Sequence, residues 1–310
     1  MNKFAFVFPG QGSQSIGMLN GFADNAIVRQ TIAEASEALR FDLARLIEAG
    51  PKEDLDLTTN TQPVMLAAAV AFYRAWIAAG GAAPSLVAGH SLGEYSALVA
   101  VGVIPFHDAV RLVRFRAQAM QEAVPVGQGG MAAILGLSDA DVLEICAASA
   151  QGEVVEAVNF NAPAQVVIAG HKNAIARACE AAKAKGAKRA LPLAVSAPFH
   201  SSLLKPASDR LRDFMTDMVF SVPQIVVINN VDVAIENNPL RIKDALVRQA
   251  ASPVRWVETI QKIATEGITQ VVECGPGKVL TGLTKRINAD LNADAIVDQA
   301  SLDRVLELMK

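Results

Sequence analysis

The segment Leu86-Val87-Ala88-Gly89-His90-Ser91-Leu92-Gly93-Glu94 constrains this chain more than any other. Leu86 to Ala88 has the length and apolar character of a short buried strand, and Leu92 to Ala100 reads as a helix. Between them lies Gly89-x-Ser91-x-Gly93, the spacing of a nucleophile elbow. The serine sits on a strand-to-helix turn so tight that only glycine fits two residues before and after it. Such a turn holds the hydroxyl clear of the backbone. It also aims the first amides of the helix, and the positive end of its dipole, at whatever reacts there. This suits a serine that attacks a carbonyl and a backbone that receives the oxyanion.

An elbow needs a buried sheet to hold it. With 310 residues, 52% of them hydrophobic, the chain can bury a large core and add a smaller unit. Phe4 to Phe8 is a strand-length apolar run ending in the glycine-rich turn Pro9-Gly10-Gln11-Gly12-Ser13-Gln14. Helical periodicity follows over 24–39 and 42–49, then a polar loop over 51–61 and a long alanine-rich helix over 62–79. After the elbow comes a helix from about Pro105 to Ala123, broken by Pro125, Gly127, Gly129 and Gly130. The rhythm then changes to β-α-β-β-α-β, the ferredoxin-like split motif, over about 126–197. Beyond it, helices over 201–218, 240–249, 254–266 and 278–287 alternate with short strands, the last at 295–298. Gly275-Pro276-Gly277-Lys278 lacks the glycine spacing of a phosphate loop and reads as a tight turn opening a helix. The expected fold class is α/β: a mostly parallel sheet core with an α/β-hydrolase-like elbow, formed by 1–125 and 198–310, plus a small ferredoxin-like (βαββαβ) subdomain inserted at 126–197.

The net charge of −3 implies no bulk attraction to nucleic acid or membrane. Cys146, Cys179 and Cys274 are far apart, show no C-x-x-C spacing and read as buried small hydrophobes in a reducing compartment. No signal peptide is evident, and the alanine-rich stretch 64–79 is too short to span a bilayer. A cytoplasmic, monomeric protein is expected.

A serine hydroxyl needs a base. Four histidines are available. His90 is next to Ser91, but neighbours at a sharp turn point apart. His107, beside Asp108, reads as a solvated helix start, and His171 as a capping or surface residue. His200, in Ala197-Pro198-Phe199-His200-Ser201, leads by position, where the chain leaves the insert and re-enters the large domain. Position alone does not close the choice. No acid between Ser91 and His200 is well placed for a triad, which weakens an ordinary hydrolase reading.

The chain resembles the malonyl-CoA:acyl carrier protein transacylase family. The resemblance rests on Phe8-Pro9-Gly10-Gln11-Gly12-Ser13-Gln14, Gly89-His90-Ser91-Leu92-Gly93-Glu94, Arg116, Phe199-His200 and Glu273-Cys274-Gly275-Pro276-Gly277, in that order along nearly the whole chain. It implies Ser91 as nucleophile, His200 as base, and the amides of Gln11 and Leu92 as the oxyanion hole. It implies that Arg116 binds the malonyl carboxylate and that the main-chain carbonyl of Gln249 holds the second nitrogen of His200. Phe199 would narrow the pocket against a branched α-carbon. The implied substrates are malonyl-CoA and acyl carrier protein, with no metal or redox cofactor. Lys183, Lys185, Lys188, Arg189, Lys285 and Arg286 offer local basic groups for an acidic carrier. A serine thioesterase or hydrolase, a carrier-binding module without catalysis, and a malonyl transferase serving polyketide or malonate decarboxylase pathways are the rival readings.

Overall fold

The computed structural model describes residues 3–195 and 197–309. It contains β1 (Phe4–Phe8), β2 (Leu86–Gly89), β3 (Gly129–Leu135), β4 (Val155–Ala162), β5 (Gln165–His171), β6 (Arg189–Pro192), β7 (Val226–Ile228), β8 (Gln270–Cys274) and β9 (Asn292–Ile296). Five strands form one sheet in the order β7-β2-β1-β8-β9, and every pairing in it is parallel. β1, β2 and β8 are buried at every position, as strands covered on both faces must be. Their side chains divide between two apolar layers. Phe4, Phe6 and Phe8 pack with the helices Ala26–Leu39, Thr58–Ala78 and Phe106–Glu122. Ala5 and Val7 pack with Trp256, Ile260 and Leu283 on the other face.

Residues 129–192 build a second, antiparallel sheet in the order β4-β5-β3-β6, crossed by the helices Asp139–Ala150 and Lys172–Ala184. Ser138 caps the first of these helices by accepting from the Asp141 amide. β4 also joins the larger body. Val254 N–H donates to Val158 C=O at 2.8 Å, and Phe160 N–H donates to Val254 C=O at 3.0 Å.

The chain departs from the sequence reading in two places. Residues 51–61 are helical rather than a loop: Lys52–Asp56 is a short helix, and Thr58–Ala78 starts four residues before the expected helix. Thr58, Asn60 and Thr61 are buried, and protein groups replace water as partners of the last two. Asn60 Nδ2 donates to Asp54 C=O, and Thr61 Oγ1 to Leu55 C=O. Pro63, inside the helix, cannot donate to Thr59 C=O four residues back, and Arg114 Nη1 supplies that bond at 2.7 Å. The expected helix over 201–218 is a short 3-10 turn, Ser202–Leu204, followed by Lys205–Phe214. Pro206 sits in the first turn of Lys205–Phe214, where its missing N–H leaves no helical bond unmade. Cys146, Cys179 and Cys274 are free and buried.

β8 carries a buried carboxylate one residue before its end. Glu273 Oε2 accepts from the amide and hydroxyl of Thr281, while Oε1 has no partner among the described residues. Burial pushes this carboxyl from its ordinary 4.5 up to about 7. The native state therefore holds a proton that the unfolded chain releases at lower pH. Its contribution is complete below 4.5 and lost as pH rises through about 7. Glu273→Gln keeps an acceptor for Thr281 and removes the titration. Its melting temperature relative to the parent should climb as pH rises across that window; a difference that stays flat with pH would contradict this account.

Candidate active site

The elbow is assembled by close backbone approach. A Cβ on Gly93 would lie 2.0 Å from Phe8 C=O, and one on Gly89 1.9 Å from Gly93 C, so neither position admits a side chain. Ser91 itself takes φ 52° and ψ −109°, a left-handed conformation costing a non-glycine residue about 1–3 kcal/mol. The helix Leu92–Ala100 begins at the next residue. The amides of Leu92 and Gln11 have no acceptor among the described residues, and both residues line the cavity beside Ser91. The Gln11 side chain is held aside by Thr58 Oγ1, which donates to its Oε1 at 2.6 Å.

Ser91 Oγ lies 2.7 Å from His200 Nε2, and His200 Nδ1 lies 2.9 Å from Gln249 C=O. A carbonyl can only accept, so Nδ1 carries the ring proton and Nε2 is left to accept from the serine hydroxyl. His200 is buried, at φ 66°. Burial first, and the Arg116 charge second, push the ring from 6.5 down to about 3. The imidazole is thus neutral and able to take a proton over the whole physiological range.

Arg116 is 2% exposed. Its Nη1 donates to Gln62 Oε1 at 2.8 Å, and its Nη2 to Gln249 Oε1 at 3.0 Å and Ser91 Oγ at 3.2 Å. The guanidinium stacks 5.2 Å over the Tyr95 ring. Nε has no partner, and no carboxylate pairs with Arg116 among the described residues. A buried cation held only by neutral groups is costly, and an incoming anion relieves that cost.

These groups open on a cavity of about 460 Å³ between the two sheets. Its far wall comes from the second sheet and the irregular segment after β6, including Met131, Asn161 and Val195. Phe199 is half-buried at the junction, packing against both the main core and the Met131–Val158 cluster.

The structure thus brings Ser91, His200, Arg116, Gln11, Leu92 and Phe199 around one cavity, with Gln249 bonded to Ser91, His200 and Arg116 behind them. The other histidines lie elsewhere in role. His90 Nε2 bonds Asn161 Oδ1 at 2.8 Å, and its ring packs edge-on to Trp256, tying the elbow to β4. His107 is half-buried beside the exposed Asp108. His171 holds the N-cap position of its helix, but its side chain makes no cap bond; its Nδ1 accepts from Val154 N–H at 2.9 Å. Of the basic groups on the insert, Lys183 pairs with Glu180, and Lys185 with Asp141 and Glu144. Lys188 and Arg189 have no ion pair among the described residues.

Four partners were missed by sequence reasoning. Gln62 fell at the edge of the misread loop. The Gln249 side chain was hidden behind its carbonyl: its Nε2 donates to Ser91 C=O and to Glu94 Oε2, at 3.0 and 2.8 Å. Glu94 was visible in the elbow helix as a carboxylate at a buried position. Asn230 was visible only as a polar residue closing the β7 run.

Comparisons with known proteins agree in family. A model of the acyl transferase domain matches residues 5–301. The malonyl CoA-acyl carrier protein transacylase of Salmonella typhimurium is 56% identical over 307 residues, covering 99% of both chains. The crystal structure of an acyl-carrier-protein S-malonyltransferase from Burkholderia pseudomallei is 68% identical, with a TM-score of 0.97 over 98% of this chain and 99% of that one. A malonyl-transacylase solved in complex with a type II polyketide acyl carrier protein is 55% identical, with a TM-score of 0.98 over 99% and 100%.

The depressed basicity of His200 is open to direct measurement. The unfolded histidine takes up its proton near 6.5 and the folded one near 3, so this group's contribution to stability is present above 6.5 and lost as pH falls toward 3. An NMR titration should show the His200 ring neutral and Nδ1-protonated well below 6.5; an inflection near 6.5 would count against the burial argument. Arg116→Gln removes the second cause and should move the ring's titration upward.

Proposed function

This chain belongs to the acyl transferase family, among the malonyl-CoA–acyl carrier protein transacylases, and on that premise we propose that Ser91 is its nucleophile and His200 its general base. The enzyme moves the malonyl group from malonyl-CoA to the phosphopantetheine thiol of acyl carrier protein, through a malonyl-serine, in fatty acid biosynthesis. Ser91 Oγ attacks the thioester carbonyl while its proton passes to His200 Nε2. The amides of Gln11 and Leu92 receive the oxyanion, each such donor being worth about 10²- to 10³-fold. The C–S bond breaks, and His200 returns the proton to the coenzyme A sulfur. The carrier thiol then attacks the malonyl-serine, its proton passing to His200 and from there to Ser91 Oγ as the ester bond breaks. Gln249 C=O holds the ring in the productive tautomer throughout. Phe199 narrows the cavity beside the α-carbon. Lys188 and Arg189, lacking acidic partners among the described residues, offer a face to an acidic carrier. The cytoplasmic location belongs to the same proposal. Among the described residues, no helix is long and apolar enough to cross a membrane.

One observation carries the malonyl assignment: the buried Arg116 guanidinium, without a carboxylate partner among the described residues, donating to Ser91 Oγ at 3.2 Å. A planar fork matches a carboxylate in two parallel bonds, and it sits within reach of the acyl group that Ser91 would carry. The test compares kcat/KM for malonyl-CoA and acetyl-CoA on the parent and Arg116→Ala. Removing one partner of a buried charge pair costs about 2–5 kcal/mol. Malonyl transfer should therefore fall about 30- to 3,000-fold, and acetyl transfer should hold level or rise. Equal losses for both thioesters would reduce Arg116 to a structural role. Intact mass after brief mixing with malonyl-CoA supplies the parallel check on the nucleophile: an adduct on the parent and none on Ser91→Ala.

A further inference from the structure

Both backbone polar groups of Ser91 are engaged from outside the elbow. Gln249 Nε2 donates to its carbonyl at 3.0 Å, and its N–H donates to Asn230 Oδ1 at 2.7 Å. Asn230 Nδ2 in turn donates to Gly89 C=O at 2.6 Å. The side chain is fully buried, and the Asn230 amide donates to Glu94 Oε2 at 3.0 Å. The register explains the pairing. Along β2 and β7, Leu86 faces Val226 and Ala88 faces Ile228. Carried two residues further, the same offset sets Asn230 beside His90. In a parallel ladder, a residue accepts from the N–H that follows its partner and donates to the C=O that precedes it. The Asn230 side-chain amide does both, on Ser91 and Gly89. It continues the sheet by one rung beyond the point where the β7 backbone turns away.

We propose that Asn230 is a positioning residue for acyl transfer, acting through Ser91. It holds the serine backbone in its left-handed conformation, so that Oγ stays 2.7 Å from His200 Nε2. It also occupies the Ser91 N–H, which leaves the oxyanion to the amides of Leu92 and Gln11 rather than to the nucleophile's own amide. This rests on the reading of Ser91 as the acylated residue.

The test uses Asn230→Leu, which keeps volume and removes both bonds, and Asn230→Asp, which keeps shape. Small misplacement of a reacting group costs about 10²-fold. The rate of Ser91 malonylation, read by intact mass, should fall about 10- to 100-fold in Asn230→Leu. KM for malonyl-CoA should stay within about threefold, because Asn230 holds the serine and not Arg116. In Asn230→Asp, an ionised carboxylate faces Gly89 C=O without a donor, whereas the protonated acid supplies one donor and one acceptor. Its rate relative to the parent should therefore recover as pH falls, which a merely structural role would not produce. In the parent protein, residue-resolved hydrogen exchange should place the Ser91 amide among the slowly exchanging ones. Parent-like malonylation in Asn230→Leu, a pH-independent ratio in Asn230→Asp, or a fast-exchanging Ser91 amide in the parent would each overturn the proposal. No malonyl adduct on the parent's Ser91 would instead overturn the nucleophile assignment.

Discussion

The site is organised by a positive charge that no described residue bonded to it neutralises. Arg116 is buried, and its bonded neighbours are two side-chain amides, a serine hydroxyl and an aromatic face. The nearest acid in the network, Glu94, gives Oε2 to Asn230 and Gln249. Burial also pushes that carboxyl up to about 7, which weakens whatever negative charge it presents. A carboxylate in direct contact would pair with Arg116 and cancel that charge. The amides satisfy its donors without cancelling its charge.

The same charge explains why the histidine is oriented by a carbonyl. An aspartate behind His200 would be a second buried ionic group within reach of Arg116, and the two would compete for each other. Gln249 C=O fixes the tautomer with a dipole instead. The consequence is a weak base, held near 3 by burial and by Arg116. A malonyl carboxylate on the guanidinium would cancel the second of those causes. In the roles proposed above for Ser91, His200 and Arg116, the ring would then become more basic when the charged acyl group is seated.

Much of this was legible in the sequence, for physical reasons that differ by residue. The elbow was readable because Gly89 and Gly93 answer to steric limits of about 2 Å that no other residue meets. The parallel sheet was readable from uninterrupted apolar runs such as Phe4–Phe8. The helical start at Thr58 was not, because a polar run reads as solvated until its partners, Asp54 and Leu55 carbonyls among them, are known. Asn230 and the Gln249 side chain escaped for the same reason. Their meaning lies in bonds to residues 139 to 158 positions away, and no local pattern encodes such a bond. Among the comparisons, kinship established the family, whereas the individual roles rest on this chain's geometry.

Ser91 and His200 are both non-glycine residues at positive φ. Strain of this kind persists only where surrounding bonds over-determine the conformation. Here those bonds are the ones that set Ser91 Oγ against the His200 ring. Asn230 and Gln249 hold the two backbone groups of Ser91, and Gln249 C=O holds the His200 ring. Each buried bond contributes about 0.5–1.5 kcal/mol net, so two or three offset the cost of one strained residue. Gln249 also carries Arg116 through its side-chain oxygen. A shift of this one residue would move the His200 ring, the Ser91 carbonyl and the Arg116 guanidinium together. Relaxing the strain therefore means losing the alignment of three groups at once, and that cooperativity lets a strained backbone remain the stable one.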